Sequence, residues 1–267
     1  MKIGNKIFDT KEHTYIMGIL NLTPDSFSDG GKYNQKENAM SRVEQMIEEG
    51  ADIIDVGGES TRPGYTKISD EEEIERIVPV IQRIKHEFDV PVSVDTYKSQ
   101  VAKAALEAGA DLINDIWGLT YDSEMAGVIA QSGCACCLMH NRTDTEYENF
   151  MEDVKSDLRR TVHIAETAGI LSDRIILDPG VGFAKSYEQN LKITNELEQL
   201  HQLNYPLLLG TSRKSMIGLA LNLPSDQRIE GTLVTTVFAV LKKCAFVRVH
   251  DIKENKRAIM MTEALRN

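Results

Sequence analysis

The chain has 267 residues, of which 42% are apolar and 6% aromatic, and its formal net charge is −11. This length suits a single α/β barrel, which commonly takes about 250 residues, and the acidic balance disfavours nucleic acid as a partner, because a phosphate backbone needs a basic face. No window approaches the roughly 18 uninterrupted apolar residues of a membrane span, and the N-terminal residues lack the apolar stretch of a signal peptide, so we expect a cytoplasmic protein with no membrane partner.

Apolar runs with β-branched residues recur along the chain and alternate with segments of helical period. Residues 38–49 show this period, since Val43, Met46 and Ile47 fall on one stripe; residues 71–88 form a second such segment. Glycines follow four helical segments, where a left-handed cap is wanted: Gly50, Gly109, Gly133 and Gly169. The predicted strands are 14–20, 52–57, 91–95, 111–115, 134–139, 174–178, 206–210 and 246–250.

Eight alternations predict an α/β fold of the closed parallel kind, a (β/α)8 TIM barrel, rather than an open doubly wound sheet. Before the first long strand, Gly4-Asn5 between short flanks predicts a short N-terminal β-hairpin that plugs the bottom of the barrel. No linker or other repeat interrupts the pattern, so we interpret residues 1–267 as one domain.

Three of the four cysteines, Cys134, Cys136 and Cys137, lie in one apolar run. Adjacent strand positions point to opposite faces, so these thiols cannot converge on a metal. We interpret them as core residues that behave as small hydrophobes.

The first long strand leads into an unusual polar loop, Asn21 to Gly31, with the sequence NLTPDSFSDGG. Turn formers, hydroxyl groups and two aspartates surround a single aromatic residue, Phe27. Such a loop at the end of a barrel strand predicts a functional segment, because the βα loops of this fold hold the active site.

Side-chain parity places several polar residues inside the mouth of the barrel. In residues 92–95, Ser93 and Asp95 point inwards while the two valines face the helices; in residues 246–250, Arg248 and His250 point inwards with Phe246. Two further strands end in Asp178 and in the pair Asn114-Asp115, where parity alone does not decide which residue enters the mouth.

The polar strand ends divide into two arcs. Asp95, Asp178 and Asn114 offer acceptors and an amide, which suit a flat heterocycle with N–H donors. The other arc offers guanidinium, imidazole and hydroxyl groups, which suit a phosphate or pyrophosphate; its members are Asn21, Thr61, Arg62, Arg248 and His250. Asn21 can supply an oxygen ligand to Mg2+ beside that phosphate, and Lys214 can reach towards the middle.

Each residue alone has a structural explanation. Asp95 or Asp178 could cap the following helix, His250 could be a satisfied core histidine, and Lys214 could cover apolar surface. The convergence of so many polar strand ends on one rim favours a ligand site. His140 also ends a predicted strand, but no partner for it is evident and we assign it a structural role.

The motifs GILNLTPDSFSDGG, DVGGESTRPG, VSVDTYKS, INDIWG, LDPGVGFAK, GTSRKSMIG and VRVHD resemble those of dihydropteroate synthases, in the same order and over the whole chain. The resemblance implies a TIM-barrel enzyme of folate synthesis. Such an enzyme joins 4-aminobenzoate to 6-hydroxymethyl-7,8-dihydropterin diphosphate, giving 7,8-dihydropteroate and pyrophosphate. It also implies Mg2+, a homodimer and membership of the family that sulfonamide drugs target. One departure is Ala184, at a position where glycine is frequent.

Position by position, the resemblance implies that the pterin is bound by Asp95, Asn114, Asp178 and Lys214, which selects Asn114 over Asp115. It implies that pyrophosphate is bound by Thr61, Arg62, Arg248 and His250, and that Asn21 contacts the metal. Residues that would frame the aminobenzoate are Phe27, Pro63, Phe183, Lys214 and Ser215.

The implied chemistry is substitution at a methylene carbon, with Asp29 and Lys214 as the catalytic residues. We expect pyrophosphate to depart ahead of amine attack, and residues 23–31 to act as a lid whose Phe27 covers the aminobenzoate while Asp29 faces the developing cation. Two alternatives stay open: a pterin-binding methyltransferase domain, which needs no pyrophosphate pocket, and an inactive homologue that only binds.

Overall fold

The computed structural model describes residues 1–23, 32–60 and 67–266. In this part of the chain, eight parallel strands form the central sheet and a two-stranded antiparallel hairpin precedes them. The strands are β1 (Lys2–Ile3), β2 (Lys6–Ile7), β3 (Tyr15–Asn21), β4 (Ile53–Gly57), β5 (Val92–Asp95), β6 (Leu112–Asp115), β7 (Ala135–Met139), β8 (Ile175–Asp178), β9 (Leu208–Leu209) and β10 (Phe246–Val249).

The sheet runs in the order β8-β7-β6-β5-β4-β3-β10-β9, and a parallel bridge between Leu177 and Leu207 joins its two outer strands. The (β/α)8 prediction is therefore confirmed. Each predicted strand of the barrel is present, but β9 is shorter than the predicted 206–210. Pro206 begins that segment and lacks the N–H that a ladder needs.

Helices follow the strands around the barrel. They are α1 (Lys32–Glu48), α2 (Asp70–Glu87), α3 (Ser99–Glu107), α4 (Met125–Ser132), α5 (Phe150–Thr167), α6 (Tyr187–Asn195), α7 (Ser215–Leu221), α8 (Ile229–Leu241) and α9 (Ile252–Arg266). Helix α1 begins before the predicted residue 38. Residues 36–38 of its first turns expose their side chains, so no apolar period marks them. The four predicted capping glycines all have positive φ.

Two apolar layers hold the barrel together. The outer layer packs one face of the strands, including Val92 and Val94, against the helices. The inner layer fills the N-terminal end of the barrel, where Ile3 and Phe8 of the hairpin region meet Met17 and Phe246. This confirms that the hairpin covers the bottom, and it leaves the opposite end for polar side chains. No helix among the described residues is both long and apolar enough to cross a membrane.

Candidate active site

A buried charge cluster occupies the inside of the barrel below the mouth. Arg248 of β10 donates from Nε to Asp55 Oδ2 at 2.6 Å and from its NH2 group to Asp95 Oδ2 at 2.6 Å. Asp55 also accepts from Ser93 Oγ at 2.5 Å. Parity correctly placed Arg248, Ser93 and Asp95 inside, but Arg248 does not stand apart on a cationic arc. The protein itself supplies two carboxylates, and they connect the two predicted arcs.

Sequence reasoning missed Asp55, which is fully buried in this cluster. Its signal was the parity of β4, in which Asp55 alternates with two apolar neighbours and so points into the barrel. A carboxylate in the middle of a buried strand needs a partner, because an unpaired buried charge is costly. Arg248 is that partner.

Asp95 has one carboxylate oxygen that the described residues leave without a donor. Its Oδ1 atom is buried and has no hydrogen-bond partner among the described residues, although Oδ2 is held by Arg248. Burial raises the pKa of this carboxyl, and the Arg248 guanidinium opposes the rise. An orphaned buried acceptor is uncommon in native proteins and indicates a site where a ligand donor belongs.

Asp178 and Lys214 meet beside Gly210, at the end of β9. A Cβ added to Gly210 would lie 3.6 Å from Asp178 Oδ2, 3.8 Å from Arg248 Cβ and 3.9 Å from Lys214 Nζ. Burial raises the pKa of Asp178, and it lowers the pKa of Lys214 to about 8, with each group opposing the shift of the other. Asp178 and Arg248, from opposite predicted arcs, therefore lie close enough for one small molecule to touch both.

The segment after β8 surrounds the Lys214 side chain. The Lys214 ammonium donates to the Val181 carbonyl and lies 4.8 Å from the centroid of the Phe183 ring. Gly180 takes φ +70°, and an added Cβ there would lie 2.0 Å from the His140 carbonyl oxygen, so only glycine fits. Ala184 has φ +45°, which explains why glycine suits its position.

The structure separates the two residues that parity could not. Asn114 lies inside the barrel, with its Nδ2 atom 3.5 Å from Asp55 Oδ2. Asp115 instead accepts from the backbone N–H groups of Trp117 and Leu119, so it shapes the following turn. Burial raises the pKa of Asp115 to about 6.

His250 and Ser215 lie at the rim. Ser212 Oγ is 3.0 Å from His250 Nδ1 and also accepts from the His250 backbone N–H. Ser215 is exposed and begins α7. The neighbouring Arg213 turns away and forms a two-point contact with Asp251, so it leaves the mouth to Lys214.

Five predicted site residues fall outside the described residues: Phe27, Asp29, Thr61, Arg62 and Pro63. Their roles stay predictions. The remaining predicted residues lie at the C-terminal ends of the barrel strands or in the segments that follow: Asn21, Asp95, Asn114, Asp178, Phe183, Lys214, Ser215, Arg248 and His250.

Two buried polar clusters beside the mouth were not anticipated. In one, Lys98 lies between Glu59 and Glu73, and Glu59 also accepts from the Ile68 backbone N–H. In the other, His140 has a partner on each ring nitrogen, Asp157 and Lys185. The structural interpretation of His140 missed these partners because they come from a helix and a loop distant in sequence.

Comparison with known proteins identifies the family. The profile of the family described as "Pterin binding enzyme" matches residues 17–250. A curated dihydropteroate synthase of Clostridium beijerinckii is 62% identical over 99% of this chain and 99% of its own length, and that of Bacillus subtilis is 51% identical over 96% and 90%. The chain belongs to the dihydropteroate synthase family.

Solved dihydropteroate synthases share the fold. The crystal structure of the Clostridium difficile enzyme in the presence of pteroic acid has a TM-score of 0.95 and 47% identity, covering 97% of this chain and 99% of that one. The Yersinia pestis dihydropteroate synthase in complex with a sulfonamide drug has a TM-score of 0.93 and 39% identity, covering 100% and 98%. This chain is thus a transferase, as the dihydropteroate synthases are.

Proposed function

We propose that the mouth of this barrel joins 6-hydroxymethyl-7,8-dihydropterin diphosphate to 4-aminobenzoate, giving 7,8-dihydropteroate and pyrophosphate, and that residues 1–267 form one pterin-binding domain. The solved relatives support these ligands, since one was crystallised in the presence of pteroic acid and another, from Xanthomonas albilineans, with 4-aminobenzoic acid.

The observation that carries the proposal is the orphaned Oδ1 of Asp95. A pterin ring has N–H donors along one edge, and a buried carboxylate oxygen accepts such a donor at a gain of about 1.5–3 kcal/mol. Asn114, Asp178 and Lys214 complete the polar edge for the ring. The fixed ion pair of Arg248 with Asp55 and Asp95 keeps this pocket in shape before the ring arrives.

The diphosphate would lie on the side of His250 and Arg248, together with Thr61 and Arg62. Arg248 uses two of its N–H groups on Asp55 and Asp95, and a guanidinium has five donors, so the others can meet a phosphate oxygen. Phe183, Lys214 and Ser215 would frame the aminobenzoate with Phe27 and Pro63.

The residues present fit a weakly held magnesium ion. In the described parts of the chain no three His, Cys, Asp or Glu side chains are grouped as a metal site. The Asn21 amide oxygen lies at the mouth, and Gly57 leaves space beside it, because an added Cβ would approach Asn21 Oδ1 to 3.5 Å. Mg2+ keeps several waters and commonly binds through few protein ligands and substrate phosphates, so Asn21 would hold it. The bound ion would supply positive charge that stabilises the leaving pyrophosphate.

The protein side chains then divide the work of the substitution. Cationic groups at the rim stabilise the charge that grows on the departing pyrophosphate. Asp95, Asp178 and Asn114 hold the electron-poor pterin, and Asp29 is proposed to face the developing cation. Lys214, with its pKa lowered to about 8 by burial, lies beside Asp178 and the Phe183 ring, where it can orient both substrates.

Turnover by the pure protein tests the proposal. With both substrates and Mg2+, we expect pyrophosphate and 7,8-dihydropteroate to appear in equal amounts, and no 7,8-dihydropteroate to appear when 4-aminobenzoate is omitted. Sulfonamides should compete with 4-aminobenzoate. Pterin binding without pyrophosphate release would favour the alternative, a pterin-binding methyltransferase domain, and binding without any turnover would favour an inactive homologue.

We also propose that the chain forms a cytoplasmic homodimer. Helices α8 and α9 pack on each other and expose a set of large apolar side chains: Val234, Phe238, Leu241, Met260, Met261 and Leu265. Clustered exposed apolar side chains indicate a protein interface. Light scattering should give twice the mass of 29.9 kDa, and Val234→Glu with Leu265→Glu should give the single mass; a monomeric wild type would contradict the proposal.

A further inference from the structure

Lys185, to which the proposed reaction gives no role, lies at the end of the segment that follows β8 and binds its backbone. Lys185 Nζ donates to the Gly180 carbonyl and the Phe183 carbonyl, each at 3.0 Å, and is 2.9 Å from His140 Nδ1. An ammonium has three N–H donors and no acceptor. All three donors of Lys185 are therefore used, and together they fix residues 180–183 against the end of β7.

The protonation state and orientation of His140, the side chain that Lys185 contacts, follow from its other partners. Because the Asp157 carboxylate can only accept, the imidazole proton lies on Nε2, 3.1 Å from Asp157 Oδ2, and His140 Nδ1 accepts from Lys185. Burial lowers the pKa of Lys185 to about 7. Arg142 Nε also donates to Asp157 Oδ2, at 2.6 Å. Burial lowers the pKa of His140 to about 4, which agrees with a neutral ring. The α5 residue Asp157 thus orients His140, and His140 orients Lys185.

The same segment holds Lys214 from its other side. The Val181 carbonyl accepts from the Lys214 ammonium, and the Phe183 ring faces it. A Cβ added to Gly182 would lie 3.2 Å from Lys214 Cδ, so backbone and side chain are in close contact. Carbonyls 180 and 183 therefore point to Lys185, while carbonyl 181 points to Lys214.

We propose that Lys185 is a positioning residue for the reaction: through the backbone of residues 180–183 it sets the place of the Lys214 ammonium beside Asp178. This inference rests on the proposed function. Without the Lys185 side chain, the Phe183 carbonyl loses this donor and the Gly180 carbonyl keeps only the Phe183 N–H, at 3.1 Å. The peptide that carries the Val181 carbonyl is still held by the Gly182 N–H, which donates to Asn190 Oδ1 at 2.6 Å. We therefore expect the segment to shift rather than to unfold, and the Lys214 ammonium to shift with the Val181 carbonyl. Lys185 itself contacts the backbone carbonyls of Gly180 and Phe183 and the His140 ring.

The test is a double-mutant cycle between the two lysines, measured as kcat/KM for the coupled release of pyrophosphate and dihydropteroate. We expect Lys185→Met to lower kcat/KM on the order of 10²-fold, since a displacement of about 1 Å in a positioned group can cost that much. In a Lys214→Met background, the same substitution should cause almost no further loss, because the group it positions is absent. The matched control is Lys192→Met, whose lysine lies on the surface of α6 and pairs with Glu196; it should match the wild type.

Two results would overturn the proposal. One is a folded Lys185→Met enzyme with kcat/KM near the wild-type value, which would make Lys185 a stability residue only. The other is that Lys185→Met lowers kcat/KM by the same factor in the wild-type enzyme and in the Lys214→Met enzyme. If Lys185→Met fails to fold, Lys185→Arg keeps the charge with a different donor geometry, and the same cycle decides. A wild type without turnover would refute the proposed function instead, so the two failures are distinguishable.

Discussion

The two ends of this barrel are built from the same eight strands but contain opposite kinds of side chain. At the N-terminal end the inward positions are filled by residues such as Met17, Ile53 and Phe246, which pack under the hairpin residue Phe8. At the C-terminal end the inward positions are occupied by Asp55, Asp95 and Arg248, with Lys214 and Asp178 above them. The alternation of strand side chains makes both ends possible, because only every second residue faces inwards.

The difference separates stability from function. Burying an apolar side chain contributes roughly 1.5–3 kcal/mol, so the bottom stabilises the fold without further conditions. A buried ion pair roughly offsets its own desolvation at best, and the unpartnered Asp95 Oδ1 adds a cost. The buried charges at the mouth therefore serve ligand binding rather than stability. Substitutions there should change catalysis more than the free energy of unfolding.

The largest expected effect tests the bottom. Phe246→Ala removes a fully buried ring from the inner layer and should lower the free energy of unfolding by about 3–5 kcal/mol. Turnover per folded molecule should stay near the wild-type value. Urea unfolding and active-site titration measure the two quantities, and Leu171→Ala, at a residue that is 65% exposed, is the control. A catalytic loss as large as the stability loss would break the separation of the two ends.

Acid sensitivity should come partly from the mouth side, through His140. Burial lowers its folded-state pKa to about 4 from 6.5, so between these values the unfolded chain binds the proton first and acid favours unfolding. Over that window the wild type should lose roughly 3 kcal/mol more than His140→Gln. Asp95 and Asp115 have raised pKa values and oppose this trend in both proteins. Comparison of the two urea curves at pH 6.5 and pH 4 isolates His140, and parallel losses would contradict its neutral state.

Replacement of the orphaned acceptor should separate binding from stability at the mouth. Asp95→Asn places an amide where the pterin N–H is expected, and kcat/KM should fall by roughly 10²-fold, since a hydrogen bond to a charged group contributes about 1.5–3 kcal/mol. Arg248 keeps Asp55 as its partner, so the free energy of unfolding should change by less than about 1 kcal/mol. Steady-state kinetics and calorimetry of pterin diphosphate binding check this. Unchanged affinity would remove Asp95 from the pterin site.

The smallest effect marks the limit of the comparison, because the mouth side also contains residues of purely local importance. Ser186 caps α6: its Oγ accepts from the Gln189 backbone N–H, and the Gln189 side chain accepts from the Ser186 backbone N–H. Ser186→Ala should cost about 1 kcal/mol of stability and leave the KM values unchanged. Ser186→Thr, which keeps the hydroxyl, is the control. A rise in the KM for 4-aminobenzoate would show that this cap also positions Phe183.

The sequence by itself determined the fold class and most of the pocket's described members. Apolar runs at regular spacing define the strands, and parity of two alone sends Asp95, Ser93 and Arg248 inwards. These signals are local, so they need no knowledge of neighbours. The motif resemblance added the choice of Asn114 over Asp115, and the structure gives the reason, since Asp115 is held by the backbone N–H groups of Trp117 and Leu119.

Only the tertiary structure decided which charges pair. Asp55 and Arg248 are separated by 193 positions, and His140 and Lys185 by 45, so no local pattern indicates their contact. The pairing of Asp55 with Arg248 depends on the barrel, which places β10 beside β3 and one strand away from β4, so that their side chains meet in its interior. His140 and Lys185 meet because β7 and β8 are neighbours. Composition and spacing place a charge inside a barrel, but the distance between two charges is a property of the closed fold.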